Sequence, residues 1–379
     1  MLIFLLIISF LYVILIISYT FCFNLAISQK DTKKLVSNVK LSLVIPARDE
    51  AHQIHFLLDS IRNQTYNPLF FEVIIVDDAS TDNTSEVVNS FIIQNPDLNI
   101  KLLRIEADIA NPTYKKNALT NAINYAEGEL IITTDADCIF GVNWLKSIAE
   151  HYSEYQSRLI VGMVAYHNDI NIFEKMQHLE FISLIASGIG GVKMGFPIMC
   201  NGANLIFEKQ VFIEVGGYKS DKNIASGDDV FLLLKIKKHY GKSSISFITN
   251  KESIVYTSAV KTLKEFVNQR IRWASKTKVY RDLAILFVAA LVFIFNFSIG
   301  LFFVSGVFLS KYFYYSLFLF MIKVIIDFPI LFLISNHIKR KDLLYYYLLL
   351  QFLYFPYVLI IGILSCFLPY KWKGRSVRQ

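Results

Sequence analysis

The chain has 379 residues, 54% of them hydrophobic and 15% aromatic but only 18% charged, with a formal net charge of +7. This composition excludes an ordinary soluble globule and a disordered chain, and it predicts membrane segments before any motif is read. The basic excess lies beside apolar runs, where anionic lipid accounts for it; no basic stripe interleaved with aromatics occurs, which argues against nucleic acid as a partner.

Met1 to Phe23 is almost unbroken apolar sequence, long enough to cross a hydrocarbon core at about 1.5 Å per residue. It lacks the basic n-region and small-residue cleavage site of a signal peptide, so residues 1–27 read as an uncleaved transmembrane anchor. Lys30, Lys33, Lys34 and Lys40 follow it, and the positive-inside rule then sets the central domain in the cytoplasm. Next, "KLSLVIPA" predicts a strand, and "EAHQIHFLLDSIRNQ" a helix with Ile54, Leu57, Leu58 and Ile61 at helical spacing. "FEVIIVDDAS" is a second strand, continuous in β-branched residues as a strand covered on both faces should be. "TSEVVNSFIIQ" continues as helix, "IKLLRIEA" as strand, "KKNALTNAINYAEG" as a helix closed by Gly128, and "ELIITTDADC" as strand. Such alternation predicts an α/β domain, a Rossmann-like and mainly parallel sheet, over residues 36–281.

Residues 283–370 are again mostly apolar and hold about three hydrophobic segments, two between 283 and 335 and one from 343 broken by Pro356. A basic tail, 371–379, follows. Lys339, Arg340 and Lys341 precede the last segment, and Lys371, Lys373, Arg375 and Arg378 follow it. One simple span cannot keep both clusters inside. Either one cluster faces out, or the Pro356 segment is re-entrant or interfacial. The cysteines form no disulfide framework: Cys22 and Cys366 lie in apolar segments, and Cys138 and Cys200 are far apart in a domain on the reducing side.

In parallel α/β sheets ligands sit at the carboxyl ends of the strands. "ARDE", "DDAS" and "DADC" end three of these strands, so Asp49, Asp77, Asp78, Asp135 and Asp137 collect along one rim. On an extended chain Asp135 and Asp137 point to the same face, and like charges that close call for a cation or a proton between them. A turn capping the next helix, with Ser80, Thr81 or Asp82 as N-cap, accounts for part of "DDASTDNT" but not for Asp77 and Asp78 together. His52 and His55 share a helix face without further soft ligands and read as surface residues. The Gly-rich stretch 186–195, "ASGIGGVKMG", has no P-loop pattern and predicts either a flexible loop near an acceptor or a plain connector.

The ordered pieces "VIPARDE", "VIIVDDASTDNT", "KKNAL", "TTDADC", "NGANLIF", "GGY", "SGDD" and "QRIRW" resemble the family-2 glycosyltransferases of GT-A fold. The last piece narrows the resemblance to membrane-embedded synthases of the cellulose, chitin and hyaluronan types and to ceramide glucosyltransferase-like enzymes. The resemblance implies inverting transfer of a sugar from a nucleotide-sugar, of the UDP type, to a lipid or growing glycan acceptor. It implies an integral protein of the lipid bilayer, in a bacterial inner membrane, that uses Mg²⁺ or Mn²⁺. A hard cation held by carboxylates would neutralise the departing diphosphate. Asp137 would be the direct metal ligand, with Asp135 sharing the ion or nearer the ribose.

By the same resemblance Pro46, Ala47, Arg48 and Glu50, with Asp77 and Asp78, would hold the nucleoside. Lys115, with adjacent Lys116 as substitute, would sit near the nucleotide. Asp229 would be the general base that takes the acceptor proton, while Asp228 caps the helix that follows. Gln269, Arg272 and Trp273 fit Q-x-x-R-W and would serve the diphosphate and the acceptor end. The same residues leave two alternatives open: a processive polysaccharide synthase, and a catalytically silent assembly subunit that keeps the fold.

Overall fold

The computed structural model describes residues 2–29, 38–105, 114–218, 227–372 and 375–377. Lys30, Lys33, Lys34, Lys373 and Arg378 of the predicted topology lie outside them. In chain order come α1 (Leu2–Ile27), β1 (Leu41–Ala47), α2 (Ile54–Arg62), β2 (Phe71–Asp78), α3 (Thr84–Gln94) and β3 (Ile100–Ile105). Then follow α4 (Tyr114–Tyr125), β4 (Leu130–Thr133), β5 (Ile139–Phe140), α5 (Trp144–Tyr155), β6 (Leu159–Gly162) and β7 (Val164–His167). Next are α6 (Ile172–Lys193), β8 (Leu205–Glu208), α7 (Lys209–Glu214), α8 (Asp228–Tyr240), β9 (Ile245–Ile248) and β10 (Val255–Ser258). The chain ends with α9 (Leu263–Ala274), α10 (Leu283–Gly306), α11 (Lys311–His337), α12 (Tyr347–Phe367), β11 (Tyr370–Trp372) and β12 (Arg375–Val377).

These elements form two compact units. One comprises Ile27–Asn168 and Met199–Ser258; the other comprises Met1–Ala26, Asp169–Ile198 and Ala259–Arg378.

The first unit is built on a 7-stranded sheet of order β3-β2-β1-β4-β8-β6-β9. β1 pairs in parallel with β2, Ala47 opposite Asp77, and with β4, Leu41 opposite Leu130. Among the described strands of this sheet only β8 runs against the others. Every residue of β2 is buried, the signature of a strand covered on both faces. The order steps outward from β1 to β3 and then returns to the other side of β1 with β4. Right-handed crossovers therefore put α2 and α3 on one face and α4 on the other, and the switch point falls between β1 and β4. A smaller sheet, β5-β10-β7, lies in the same unit. At the opposite ends of the strands Gly128 fits tightly: a Cβ there would stand 2.6 Å from the Ser42 amide nitrogen.

The second unit holds the apolar helices. Ile3–Ile27, Leu283–Gly306, Lys311–His337 and Lys341–Phe367 are each long and apolar enough to cross a membrane. Pro356 sits inside α12, which continues through it. Tyr12 of α1 stacks on Phe295 of α10 at 3.9 Å between ring centroids and donates to Asp327 of α11 at 2.8 Å. Asp327 also pairs with Lys323 one turn earlier, so this acid in an apolar helix is neutralised within its own helix.

The Gly-rich stretch differs from expectation, because α6 runs as helix through Lys193. Its glycines serve close approach: a Cβ on Gly190 would lie 2.7 Å from the carbonyl oxygen of Tyr19 on α1. Arg340 is not a free cytoplasmic flank. Its guanidinium makes two bonds to Asp169, at 2.6 and 2.8 Å, and two more to Asp342. His178 lies buried against the same Asp169 at 3.2 Å. β11 packs beside α9.

Candidate active site

The site of the α/β unit starts where β1 and β2 end. The two following loops are laced by hydrogen bonds that the pattern of small polar residues makes available. Asp49 N–H donates to Ser80 Oγ at 3.0 Å, Glu50 N–H to Thr84 Oγ1 at 2.9 Å and Ala51 N–H to Asp82 Oδ2 at 3.0 Å. In return Asp49 Oδ1 accepts from the Thr81 amide at 2.7 Å, and Arg48 Nη1 donates to the Asp78 carbonyl at 2.6 Å. Each loop carries a non-glycine residue in the left-handed region, Asp49 at φ 50° and Ala79 at φ 51°. For Ala79 that conformation costs about 1–2 kcal/mol, which the lacing must offset.

Asp77 differs from its expected outward role. It is fully buried; Oδ1 accepts from the Ser80 amide at 2.9 Å and Oδ2 from the Ser85 hydroxyl. Both oxygens hold the turn and the start of α3. The N-cap of α3 is Asn83, and not Ser80, Thr81 or Asp82 as the sequence suggests. Asp78 is buried beside it, Pro46 and Ala47 are the last residues of β1, and Glu50 is half-buried.

Across the switch point β4 stops at Thr133, short of the predicted strand end. The Cys138 amide closes a turn onto the Asp135 carbonyl at 3.1 Å, so the two acids stand on a turn and not on one face of a strand. Ala136 is buried between them, Asp135 is exposed and Asp137 half-buried. Asp137 Oδ2 accepts from Thr257 Oγ1 at 3.0 Å. Burial, with the charges of Asp137 and Asp135, pushes the Cys138 thiol well above its ordinary range, so it stays neutral.

One backbone residue joins this turn to the downstream acids. Thr133 Oγ1, at the end of β4, donates to the Gly202 carbonyl at 2.7 Å, and the Gly202 amide donates to Asp229 Oδ2 at 3.2 Å. The other Asp229 oxygen accepts from the Val230 amide at 2.8 Å, at the positive end of α8. Asp229 is therefore oriented from both sides. Its neighbour Asp228 pairs with Lys116 at 2.9 Å. Lys116 makes this contact, and the Lys115 side chain lies outside the described residues.

Two site residues were not singled out from sequence. Tyr218 of "GGY" is buried, and burial plus the charges of Asp228 and Asp229 hold its phenol well above its ordinary range, so it stays neutral. Asn204 of "NGAN" is fully buried. Its amide donates to Met163 O and Ser253 O, both at 2.9 Å, and accepts from Trp144 Nε1 at 3.3 Å. It fixes the loop that carries Gly202.

Gln269, Arg272 and Trp273 lie in the helical unit, on α9, all half-buried. Thr262 and Glu265 form a capping box that starts this helix. Beneath the motif Arg270 is buried against Glu180 of α6 at 2.5 Å. Among the described residues no three His, Cys, Asp or Glu side chains converge to hold a metal ion.

A mainly parallel sheet, a D-x-D turn at its switch point and an oriented acid at a helix start define a glycosyltransferase of GT-A type. Family models agree: glycosyl transferase family 2 matches residues 42–216, and glycosyl transferase family group 2 matches residues 130–370, more than half the chain. The chain belongs to the family-2 glycosyltransferases.

Poly(ribitol-phosphate) beta-N-acetylglucosaminyltransferase TarS of Staphylococcus aureus is 30% identical over 123 residues, 32% of this chain and 20% of that protein. Poly-beta-1,6-N-acetyl-D-glucosamine synthase of the same species is 27% identical over 244 residues, 60% of this chain and 55% of that protein. The chain thus spans from 20% to 55% of the length of these two curated relatives. In structure it is similar to the mannosyltransferase PcManGT from Pyrobaculum calidifontis, solved with GDP-Man and Mn²⁺. The TM-score is 0.60 at 17% identity, over 96% of this chain and 98% of that one.

Proposed function

We propose that the protein is a membrane-bound inverting glycosyltransferase that moves a sugar from a nucleotide-sugar, of the UDP type, to a lipid or growing glycan acceptor. The observation that carries this is the link through Gly202, which ties the Asp229 carboxylate to the strand end that bears the D-x-D turn. Asp229 then acts as general base. The acceptor oxygen forms its bond to the anomeric carbon, its proton passes to Asp229, and the carbon–oxygen bond to the diphosphate breaks with the electron pair leaving on the nucleotide. Pro46, Ala47, Arg48, Glu50 and Asp78 serve the nucleoside, with Asp77 holding their loops in register. Lys115 serves the nucleotide. Arg272 and Gln269 serve the leaving diphosphate, and Trp273 the acceptor.

Asp135 and Asp137 offer an oxygen-only donor set, one carboxylate exposed and one half-buried, which suits a hard divalent cation. They would hold Mg²⁺ or Mn²⁺, whose chemistry is charge neutralisation on the diphosphate. The Mn²⁺ in the structurally similar mannosyltransferase supports this assignment. The four apolar helices support a multi-pass protein; the lysines after the first of them favour a cytoplasmic α/β unit, and we assign the membrane as a bacterial inner membrane. For the last segment we favour a re-entrant or interfacial course. Arg340 before it binds Asp169, where the chain enters the helical unit, and β11 after it lies beside α9, which leads into α10.

A processive polymer synthase is the second form of this proposal, favoured by the longer of the two curated matches. Membranes carrying the protein are to be incubated with a panel of labelled nucleotide-sugars, with Mn²⁺ or with chelator. Transfer that needs the cation and disappears in Asp229→Asn, while nucleoside diphosphate still binds, is the expected result. Normal turnover in Asp229→Asn sinks the assignment, and product size separates single transfer from polymerisation.

A further inference from the structure

The motif helix α9 contains a residue that the Q-x-x-R-W spacing leaves unspecified yet that touches both ends of it. Arg270 Nη1 donates to Gln269 Oε1 at 2.6 Å, and its guanidinium carbon stands 4.2 Å from the Trp273 ring centroid, within cation–π range. A second ring, Phe266, lies 4.6 Å from the same guanidinium. Arg270 is 2% exposed and Glu180 5%, so the ion pair that anchors it is removed from water. The second Glu180 oxygen accepts from Tyr357 of α12 at 3.2 Å, next to Pro356. Trp273 gains one more contact, a tilted approach to Phe181 of α6 at 6.0 Å. Apolar packing closes the same junction, with Ile271 against Ile361 and with Val267, Tyr357 and Leu364 around them.

A buried ion pair of this kind is weak evidence for stability, because desolvation offsets most of its attraction. Hydrophobic residues would join α9 to α6 as well. What they would not supply is a planar, multi-donor group that grips an amide oxygen at one edge and lies over an indole with its face. We propose that Arg270 is a positioning residue: anchored by Glu180, it sets the Gln269 amide and the Trp273 ring, and Tyr357 makes that setting depend on α12. This rests on the roles proposed above for Gln269 and Trp273. It adds that the acceptor end of the enzyme is tuned from the membrane segment.

The test uses the full chain in detergent or nanodiscs, labelled with 5-fluorotryptophan. The protein has three tryptophans, Trp144, Trp273 and Trp372, whose ¹⁹F lines single Trp→Phe variants assign. Arg270→Lys keeps the charge and loses the planar stack. It should move the Trp273 line, leave the Trp144 line in place, and lower sugar transfer by about 10- to 100-fold at unchanged melting temperature. Arg270→Met/Glu180→Gln removes both charges together, and should fold yet show the same displaced line and the same loss. A purely structural pair predicts the opposite: a folded double variant, or Arg270→Lys, that transfers at the wild-type rate with an unmoved Trp273 line overturns the proposal. If the wild type transfers from no donor in the panel, the general functional assignment fails, and the Trp273 line alone still decides whether Arg270 positions that ring.

Discussion

Lys116→Met is expected to unseat the acid pair at the start of α8. Lys116 Nζ lies 2.9 Å from Asp228 Oδ1, with side chains 4% and 16% exposed. At an effective dielectric of about 20, that separation corresponds to about 6 kcal/mol of Coulomb attraction, most of it offset by desolvating the two ions. Removing the cation alone is worse than removing the pair, because the Asp228 carboxylate stays behind without its counter-charge. Such losses run about 3–5 kcal/mol, and the residual exposure of Asp228 argues for the lower end, about 3 kcal/mol. In a folding unit of about 200 residues, each kcal/mol lowers the melting temperature by about 2–4 °C, so the expected drop is about 6–12 °C. Lys116→Met/Asp228→Asn should recover more than half of it. The assay is thermal unfolding of the full chain in a Trp273→Phe/Trp372→Phe background with Trp144 fluorescence as the probe, since that residue is fully buried in the α/β unit. A single variant that melts within about 2 °C of wild type, or a double variant no more stable than the single, refutes the reasoning.

Three further outcomes are expected. Burial lowers the pKa of His151, whose Nε2 sits 2.9 Å from Ser246 Oγ, to about 4. The unfolded chain, with a histidine value of about 6.5, takes up the proton first. Stability is therefore intact above about pH 6.5 and falls toward pH 4, by up to about 3 kcal/mol, and His151→Gln should flatten urea midpoints across that window. An unchanged slope contradicts it. Gly162→Ala should destabilise by at least about 1–3 kcal/mol, because its Cβ would stand 2.3 Å from the saturated Asn204 amide. Gly202→Ala, whose Cβ meets Asp229 only at 3.7 Å, serves as the comparison and should lose less than about 1 kcal/mol in the same denaturation. Finally, a tag after Gln379 should be accessible on the same membrane face as a tag in the α/β unit. Protease protection in oriented vesicles that finds the two on opposite faces restores α12 as a simple span.

The βαβ alternation was legible because each strand carries its own evidence: β1 and β2 are runs of mostly β-branched and other apolar residues, and the loops after them are rich in residues that cap and turn. The rule about strand ends put the acids after β1, β2 and β4, but it said nothing of which way each carboxylate turns. What eluded the sequence was decided at longer range. β8 is four residues, Leu205–Glu208, and nothing in so short an apolar run says that it enters the sheet reversed. Asp135 and Asp137 looked like an extended pair because the apolar run continues in register, but a single backbone hydrogen bond to Asp135 turns the chain there. Asp77 looked like a ligand because spacing alone cannot tell a carboxylate that faces out from one consumed by Ser80 and Ser85. The hidden partnerships are the most instructive. Glu180 and Arg270 are 90 positions apart, and Asp169 and Arg340 are 171 apart, so no local period links them. The Q-x-x-R-W spacing marks Gln269, Arg272 and Trp273 because a helix sets them within one turn of each other. It is silent about what holds them, since that work falls to an unspecified position whose partner lies on another helix. A motif records the groups that chemistry needs at fixed spacing. The groups that keep them still are free to come from wherever the fold brings a buried counter-charge, and only the folded chain names them.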